Sequence, residues 1–451
     1  MPQKEAEDLR DELFYQRAVH AYVTMLPALN IIGMRDGSEA MFGKGYNVSA
    51  DLEGADGLAH LGADAQRRCH LFHELSRSEG SRSTRRRRAA RCHRHVHRFQ
   101  RTITDVGLIG PDRARGGLYL LLPPDYDGEI PQGYLTFKSK TYNVFLFFRT
   151  IMPKGDNGPD PKPAVALAEK TRVYPLWTPE KDVKPMQFPD GSGKRINMMY
   201  PVDDTYWTKL KTFVDYEPVS AIDPELRGVL ASIGIIKGQP FDPTEKQRAL
   251  LQKAVETAPK MILALRQLGR PDERDRYYKD RQYLNTWASG TSEWLQDSYL
   301  DVNQRASYFQ VAYASAPAMV MRTLGAGSKY PFTLRDANGE FLNGANTYKL
   351  HLPPNPPAAL FWAVTAYNIT DGTMVEAPQL MPSINGYNKV AANGDGSVDL
   401  WFAPTKPVDS TESNFIQTVS GRNFLVALRL YGTGVEFFDQ TWKPDDVVKV
   451  K

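Results

Sequence analysis

The sequence is short of the residues and motifs from which a function is usually predicted. Its 451 residues include only two cysteines, Cys69 and Cys92, too few for a disulfide framework. No run of about 18 apolar residues occurs, which argues against a membrane span. The motifs Gly-x-Ser-x-Gly, His-Glu-x-x-His and Gly-x-Gly-x-x-Gly are missing. The sequence therefore does not indicate a nucleophile-elbow hydrolase, a zinc peptidase or a dinucleotide-binding protein.

The N-terminal residues lack the apolar core of a secretory signal peptide. They read MPQKEAEDLRDELF, whereas an export signal needs an apolar stretch after its charged start. By default we expect a cytoplasmic protein. A periplasmic location stays open for a chain whose N-terminus is truncated.

The formal net charge of +4 is unevenly distributed along the chain. Between Arg67 and Arg98 there are eleven Arg, no Lys and only two acids, so this stretch carries +9 and the remainder −5. Six of the eight His lie between His60 and His97, a region that also holds both Cys. One segment therefore accounts for nearly everything chemically unusual in the sequence.

The Arg-rich segment does not predict nucleic-acid binding or a metal site. Arg side chains bind phosphate backbones, but the aromatic side chains that single-strand binding also uses are nearly absent, with only Phe72 and Phe99 nearby. Its Cys and His residues crowd together without the Cys-x₂₋₄-Cys or His-x₃₋₅-His spacing of zinc sites. We therefore predict no nucleic-acid partner, no metal and no cofactor.

The same segment has neither the period of a strand nor that of an amphipathic helix. Arg, Ser, Cys and His without Lys are typical of a GC-rich gene translated in the wrong frame. We interpret residues 62–98 as such a frameshifted translation. We predict that they lie outside the core, because burying unpaired guanidinium groups is strongly unfavourable.

Length and composition indicate an α+β protein of two or three domains. Apolar residues make up 41% and charged residues 24% of the chain, the balance of a globular protein. We predict a β-rich N-terminal domain with a leading helix (residues 1–170) and a helical middle region (171–325). A C-terminal antiparallel β-sandwich, jelly-roll-like, is predicted for residues 326–451.

Local patterns place the main helices. Apolar residues at three-to-four spacing predict a leading helix, which Pro27 should end or bend. In the middle region Asp242, followed by Pro243 and Glu245, predicts a helix that begins within two residues of Asp242. Pro259 should kink that helix.

Turn motifs separate short apolar runs in the C-terminal third. DANG (336–339), LNG (342–344) and NGDG (393–396) permit the positive φ angles of hairpins. Around them lie candidate strands at 348–352, 360–367, 398–402 and 424–431. Short strands at this spacing predict a sandwich or jelly-roll-like pair of sheets.

Longer motifs carry a family resemblance. They are YQRAVHAYVTMLPALN and GPDRARGGLYLLLPPDYDGEIPQGY, then LRGVLASIGIIKGQPFDP, and at the end TYKLHLPPNPPAALFWAVTAYN, DGSVDLWFAP and FLVALRLYGTGVEFFDQTW. In order and spacing they resemble bacterial proteins that pair the domain-of-unknown-function families DUF1254 (N-terminal) and DUF1214 (C-terminal). The resemblance implies a β-rich domain at each end with helices between, and no established activity. Residues 62–98 stand where such proteins carry a Thr-Pro-Asn-x-Asp/Glu-Thr-x-Tyr motif.

Two charged candidates lie in separate places. The loop GPDRARGG (110–117) offers Arg113 and Arg115 to an anion, but lacks the Gly-Lys-Ser/Thr ending of a Walker loop. His351 lies between Leu350 and Leu352, so strand alternation directs it away from their face. It is a candidate general base or, as the simpler alternative, a surface histidine.

The strongest candidate ligand site combines aromatic side chains with an arginine. Trp362 and Tyr367 share one predicted strand, and Arg429 and Tyr431 share another. A guanidinium pairs with a carboxylate or phosphate, while aromatic faces hold a sugar or an apolar ring. The alternative is that the aromatic side chains fill the sandwich core and that Arg429 lies on the outer face.

Two functions remain open. In the first, the chain is a ligand-binding or accessory protein whose β-domains hold a small-molecule or polymeric ligand, a sugar or an anion. In the second, it is a hydrolase of unfamiliar type acting on an ester, glycoside or phosphoester through carboxylates or His351. The missing nucleophile motif favours the first, and a deep cleft with converging carboxylates would favour the second. A homo-oligomer is compatible with either.

Overall fold

The structure is a computed structural model with eight described helices. It describes residues 1–45, 48, 50–52, 67–74, 82–83, 92–98, 101–150, 154–155, 158–176, 178–191, 194, 196–269, 274–379, 381–387 and 389–450. Within them the helices α1 to α8 are, in chain order, Gln3–Phe42, Pro161–Ala168, Thr205–Tyr216, Pro224–Ser232, Glu245–Leu268, Val302–Val311, Pro317–Val320 and Val435–Phe438.

The strands fall into an N-terminal and a C-terminal set. In chain order, β1 to β11 are Ala50–Leu52, Arg67–Glu74, Arg82–Ser83, Cys92–Arg98, Arg101–Gly107, Tyr119–Leu122, Leu135–Lys138, Asn143–Thr150, Lys154–Gly155, Gly158–Pro159 and Tyr174–Pro175. The strands β12 to β20 are Ser328–Lys329, Phe332–Thr333, Thr347–Leu352, Ala358–Asn368, Ser383–Asn385, Val398–Ala403, Phe415–Gln417, Phe424–Thr433 and Val448–Val450.

Helix α1 forms one side of a helical core. Its buried residues, such as Leu26, pack with apolar residues of α3, α4, α5 and α6. The helix continues through Pro27 to Phe42. Pro27 therefore does not end the helix, which was one of the two predicted outcomes. Packing of the buried face outweighs the hydrogen bond that proline removes. The leading helix thus shares its core with the middle region, and the predicted domain boundaries stay a prediction.

The N-terminal sheet is antiparallel, with the strand order β1-β2-β8-β4-β5. The central strand β8 pairs with β2 on one side and with β4 on the other. The backbone of β2 and β4, within residues 62–98, therefore belongs to this sheet, because the N–H and C=O groups of a buried central strand need partners on both sides. The predicted position of the segment outside the core concerns its side chains. The structure describes the backbone of these strands but not their side chains, including those of the Cys and His residues. The frameshift interpretation stays a prediction.

The middle region is helical only in part. Between α5 and α6 the described chain is mostly irregular. Isolated β-bridges pair Leu284 with Phe332 of β13, and Leu295 with Leu300 within the segment. This irregular segment (residues 274–301) lies between α5 and α6, and its residues Tyr278 and Tyr283 pack in the core of the C-terminal sheets. No helix within the described ranges is both long and apolar enough to cross a membrane.

Helix α5 begins at Glu245, not within two residues of Asp242. Its N-cap is Thr244, whose Oγ1 accepts a hydrogen bond from the Gln247 backbone N–H at 3.3 Å. In return the Gln247 side chain accepts one from the Thr244 N–H at 2.9 Å, which completes a capping box. Asp242 instead forms an exposed ion pair with Arg248. The predicted N-cap at Asp242 is wrong because the better-placed hydroxyl of Thr244 satisfies the helix.

We expect Thr244→Ala to lower the free energy of unfolding by about 1 kcal/mol, because it removes the side-chain acceptor of the N-cap. The matched control is Asp242→Ala, which removes only an exposed ion pair and should change stability by less than about 0.5 kcal/mol. Urea unfolding of both variants measures the difference. A larger loss for Asp242→Ala would return the capping role to that residue.

Two sheets form the C-terminal region. One has the order β12-β19-β15-β16 with β13 also paired to β19, and the other has the order β18-β17-β14-β20. Apolar side chains of both sheets meet in one core, including Leu350 and Leu400 from one and Val364 and Leu428 from the other. The four candidate strands correspond to β14, β15, β17 and β19, and their mutual pairings are antiparallel. The predicted α+β class is confirmed, and the jelly-roll topology stays a prediction.

Candidate functional site

A cavity of about 540 Å³ lies between the helical core and the sheet that contains β15 and β19. Helices α5 and α6 form one wall, with Arg266 and Tyr308. The sheet forms the opposite wall, with Tyr367 and Arg429, and the irregular segment adds Trp287. The volume lies within the usual range of small-molecule sites.

Strand alternation brings Arg429 and Tyr367 into the cavity. In the antiparallel pair β15–β19, Ala363 lies opposite Arg429 and Tyr367 lies opposite Leu425. Side chains two residues apart share a face, so these four point the same way. The intervening residues, such as Val364, belong to the sandwich core. One face of this sheet therefore packs against the second sheet of the sandwich, and the other face lines the cavity.

The guanidinium of Arg429 is buried in the sheet wall. The residue is 8% exposed, and its Nη2 donates a hydrogen bond to the Tyr367 hydroxyl. Its guanidinium carbon lies 5.5 Å from the ring centroid of Tyr367 and 5.9 Å from that of Tyr330. Burial lowers the pKa of Arg429, because the charged form loses its hydration. An arginine nevertheless stays charged in proteins, so this wall presents a desolvated cation.

Arg266 is a second buried guanidinium, near the C-terminal end of α5. It is 5% exposed and donates to Ile369 O at 2.5 Å, Ser307 O at 2.8 Å and Gln310 Oε1 at 2.6 Å. All three acceptors are neutral, and no carboxylate among the described residues forms an ion pair with Arg266. Burial lowers its pKa to about 10, which leaves it protonated at neutral pH.

Aromatic rings line the part of the cavity next to the arginines. The ring centroids of Trp287 and Tyr308 are 5.3 Å apart, and those of Trp287 and Tyr330 are 6.0 Å apart. Trp287 Nε1 donates to Ser315 Oγ at 2.9 Å, and the Tyr308 hydroxyl donates to Ala314 O at 2.8 Å. These bonds hold the rings in place. Their faces suit an apolar or aromatic group.

Two carboxylates also reach the lining, those of Asp275 and Asp301. Asp301 is the N-cap of α6 and accepts a hydrogen bond from the Gln304 backbone N–H at 3.1 Å. The lining residues, as far as the structure describes them, include no His and no Cys. The cavity thus offers cations and rings for binding rather than a nucleophile with an adjacent base.

The predicted group of aromatic residues and arginine is divided by the structure. Tyr367 and Arg429 line the cavity. Trp362 lies an odd number of residues before Tyr367, so it turns to the opposite face and packs in the sandwich core. Tyr431 shares the face of Arg429 but stacks on Phe361, with ring centroids 4.2 Å apart. Trp362 therefore lies where the alternative interpretation placed the aromatic side chains, in the core of the sandwich.

The remaining predicted residues lie away from the cavity. Arg113 and Arg115 are exposed on a loop that the buried carboxylate of Asp112 organises through backbone N–H groups. His351 lies on the outer face of β14, where its Nδ1 is 2.7 Å from Asp399 Oδ1. The structure therefore does not bring these three candidates together with Arg429.

Sequence reasoning missed Arg266, Trp287 and Tyr308. For Arg266 a signal was available, because it follows Ala258 and Ile262 at spacings of four on the buried stripe of α5. A cation in the last turn of a helix is ordinarily interpreted as a partner of the helix dipole. Trp287 lies in a segment without period, so no local pattern indicated its position.

Comparison with protein families identifies two regions of the chain. The family described as "Protein of unknown function (DUF1254)" matches residues 96–175, and that described as "Protein of unknown function (DUF1214)" matches residues 327–435. The predicted pairing and its order are confirmed. Arg429 and Tyr367 lie in the second region, whereas Arg266 and Trp287 lie between the two. No curated protein matches the chain.

A solved structure shares the overall fold. The VPA0106 protein from Vibrio parahaemolyticus is similar at a TM-score of 0.55 and 17% identity, over 98% of this chain and 100% of that chain. At this identity the likeness shows the fold alone. An uncharacterized protein from Burkholderia cenocepacia aligns at a TM-score of 0.37 and 13% identity, over 100% of this chain and 90% of that chain.

Proposed function

We propose that this chain, which joins a DUF1254 region to a DUF1214 region, binds a small anionic ligand in the cavity between α5, α6 and the β15–β19 sheet face. The observation that carries the proposal is the presence of two buried guanidinium groups, Arg266 and Arg429, in the lining of one aromatic cavity. A guanidinium binds carboxylate or phosphate through paired N–H donors. The ligand class is therefore an acid with an apolar or aromatic body.

The energetics of Arg266 support an anion. A cation buried among neutral acceptors has lost its hydration without gaining a countercharge, which is unfavourable. An acid that enters the cavity supplies the missing negative charge in a place of low dielectric, where the attraction is strong. The aromatic faces of Trp287 and Tyr308 then cover the apolar part of the ligand.

The hydrolase alternative has weaker support. It would need a nucleophile or a pair of carboxylates free to act on the bound molecule. Asp301, one of the two acidic residues in the lining, is engaged as the N-cap of α6. The candidate base His351 lies on β14, in the other sheet of the sandwich. Release of phosphate from bound phenyl phosphate would nevertheless identify the protein as an enzyme. Phenyl phosphate is therefore assayed for turnover as well as for binding.

The test uses benzoate and phenyl phosphate as acids and benzyl alcohol as the neutral match, measured by isothermal titration calorimetry. We expect the acids to bind, and Arg429→Met or Arg266→Met to weaken their binding about 10- to 100-fold, because each removes a charge-assisted bond. Arg266→Met leaves the acceptors of Ile369, Ser307 and Gln310 without this donor and should lower stability. Circular dichroism therefore checks that each variant is folded before its binding is compared.

The control variant is Arg115→Met, which removes an exposed arginine from a loop outside the cavity. It should bind the acids as the unmodified protein does. Binding that survives both cavity substitutions, or that is equal for benzyl alcohol and benzoate, would show that the arginines do not select an anion and would refute the proposal.

A further inference from the structure

The exposed part of the cavity lining is mainly apolar, although its interior holds two cations. Among the exposed lining residues Leu265 is 39% exposed, Tyr299 42% and Val302 41%. The polar residue Asn303 is also exposed there. Arg266 and Arg429, in the same lining, are 5% and 8% exposed. The exposed lining is thus mainly apolar, whereas both guanidinium groups lie in its buried part.

The three exposed apolar or aromatic residues come from three separate parts of the fold. Leu265 belongs to α5, Tyr299 to the irregular segment and Val302 to the first turn of α6. Single exposed apolar residues are normal on a protein surface. Apolar residues from different elements that line the exposed part of one cavity are instead typical of a binding site. Leu268, at 78% exposure, extends the apolar surface along α5 by about one turn.

We propose that the ligand is an amphiphilic acid, whose anionic head lies at Arg266 and Arg429 and whose alkyl chain leaves the cavity past Leu265, Tyr299 and Val302. This inference rests on the proposed function and specifies its ligand class. The aromatic faces inside the cavity hold the first part of the chain. The exposed lining covers the rest.

The two ends of such a molecule suit the two parts of the cavity. A carboxylate or phosphate head gains most where charge is desolvated and positive, which is the interior. A methylene group gains by leaving water, and each buried methylene should tighten binding roughly three- to fourfold. Only a molecule with an acid at one end and an apolar chain at the other satisfies both parts of the cavity.

The experiment is a chain-length series measured by calorimetry at concentrations below micelle formation. Hexanoate, octanoate and decanoate are compared with the corresponding alkyl phosphates and with decanol, because a guanidinium binds either kind of head. We expect the dissociation constant to fall about three- to fourfold per added methylene while the chain lies within the cavity and along its exposed lining. Decanol should bind at least tenfold more weakly than the better decyl acid.

Variants of the exposed lining provide the second arm. Leu265→Gln and Val302→Asn should reduce the dependence of affinity on chain length, since the alkyl chain loses apolar contacts while both arginines remain. Leu295→Gln is the matched control, because Leu295 is 54% exposed but does not line the cavity. It should leave the whole series unchanged.

The outcomes separate this inference from the proposed function. If hexanoate binds through Arg429 and longer chains bind no better, the amphiphile is refuted while anion binding stands. If decanol binds as tightly as decanoate, both proposals fail. If affinity rises with chain length and Leu265→Gln abolishes that rise, the amphiphilic ligand is supported.

Discussion

Replacing Glu217 with alanine is expected to lower the free energy of unfolding by about 3–4 kcal/mol, since it leaves buried donors without an acceptor. Glu217 is 1% exposed at the end of α3. Its carboxylate accepts from Tyr142 N at 2.6 Å, from Asn143 N at 3.1 Å and from Asn143 Nδ2 at 2.7 Å. It thus ties the start of β8, the central strand of the N-terminal sheet, to the helical core. Urea unfolding measures the loss, and Glu225→Ala in the first turn of α4 is the exposed control.

The same carboxyl group should give stability a defined pH dependence. Burial raises the pKa of Glu217 above its usual value of 4.5, against the lowering effect of the Asn143 and Tyr142 donors. Since the folded-state pKa is the higher one, its stabilising contribution is fully present below pH 4.5 and is lost as pH rises through the folded pKa. Glu217→Gln does not titrate, so the advantage of the unmodified protein over this variant should shrink from about pH 4 to neutrality. An advantage that grows over that interval would show that the hydrogen bonds, not burial, dominate the pKa.

Gly33→Ala is expected to destabilise the protein by about 2–3 kcal/mol, because the added methyl group has no room. Gly33 lies in α1, and a Cβ there would be 2.4 Å from Met199 O. At Gly37, one turn later, a Cβ would be 2.0 Å from Asn197 O. The two glycines therefore form a groove in which the backbone of residues 197–199 lies directly on the helix. Helix propensity alone predicts the opposite sign, a gain of about 1 kcal/mol for alanine.

Gly228→Ala is the matched control for this prediction. Gly228 also lies within a helix, α4, but nothing is within 4 Å of the position of its Cβ. Alanine there should stabilise the protein by up to about 1 kcal/mol. Urea unfolding followed by circular dichroism compares the two variants. Equal and stabilising effects would mean that no chain segment is packed in the Gly33–Gly37 groove.

Local chemistry explains which parts of the fold could be predicted. The strands β14, β15, β17 and β19 follow from apolar runs separated by Gly-containing turns, because turn residues and strand alternation act over a few residues. The start of α5 shows the limit of this reasoning. The sequence-based prediction took Asp242 as the N-cap and left out Thr244, which is also a good N-cap residue. In the structure only Thr244 forms the reciprocal bonds of a capping box.

The Arg-rich segment shows a different limit. Its composition predicted a position outside the core, but the backbone of β2 and β4 pairs with both edges of β8. Strand pairing uses N–H and C=O groups, which every residue other than proline possesses. Composition therefore does not exclude a segment from a sheet when the neighbouring strand lacks other partners.

The α+β class and the order of the two family regions follow from the amino-acid sequence alone. Strand alternation in the sequence also implies that Arg429 and Tyr431 share a face and that Trp362 and Tyr367 do not, which the grouping of Trp362 with Tyr367 in one candidate site did not take into account. That Arg429, Arg266 and Trp287 line one cavity depends instead on tertiary packing. These residues lie far apart in the chain, and whether a guanidinium is shielded from water depends on all the elements packed around it. No local pattern encodes that sum.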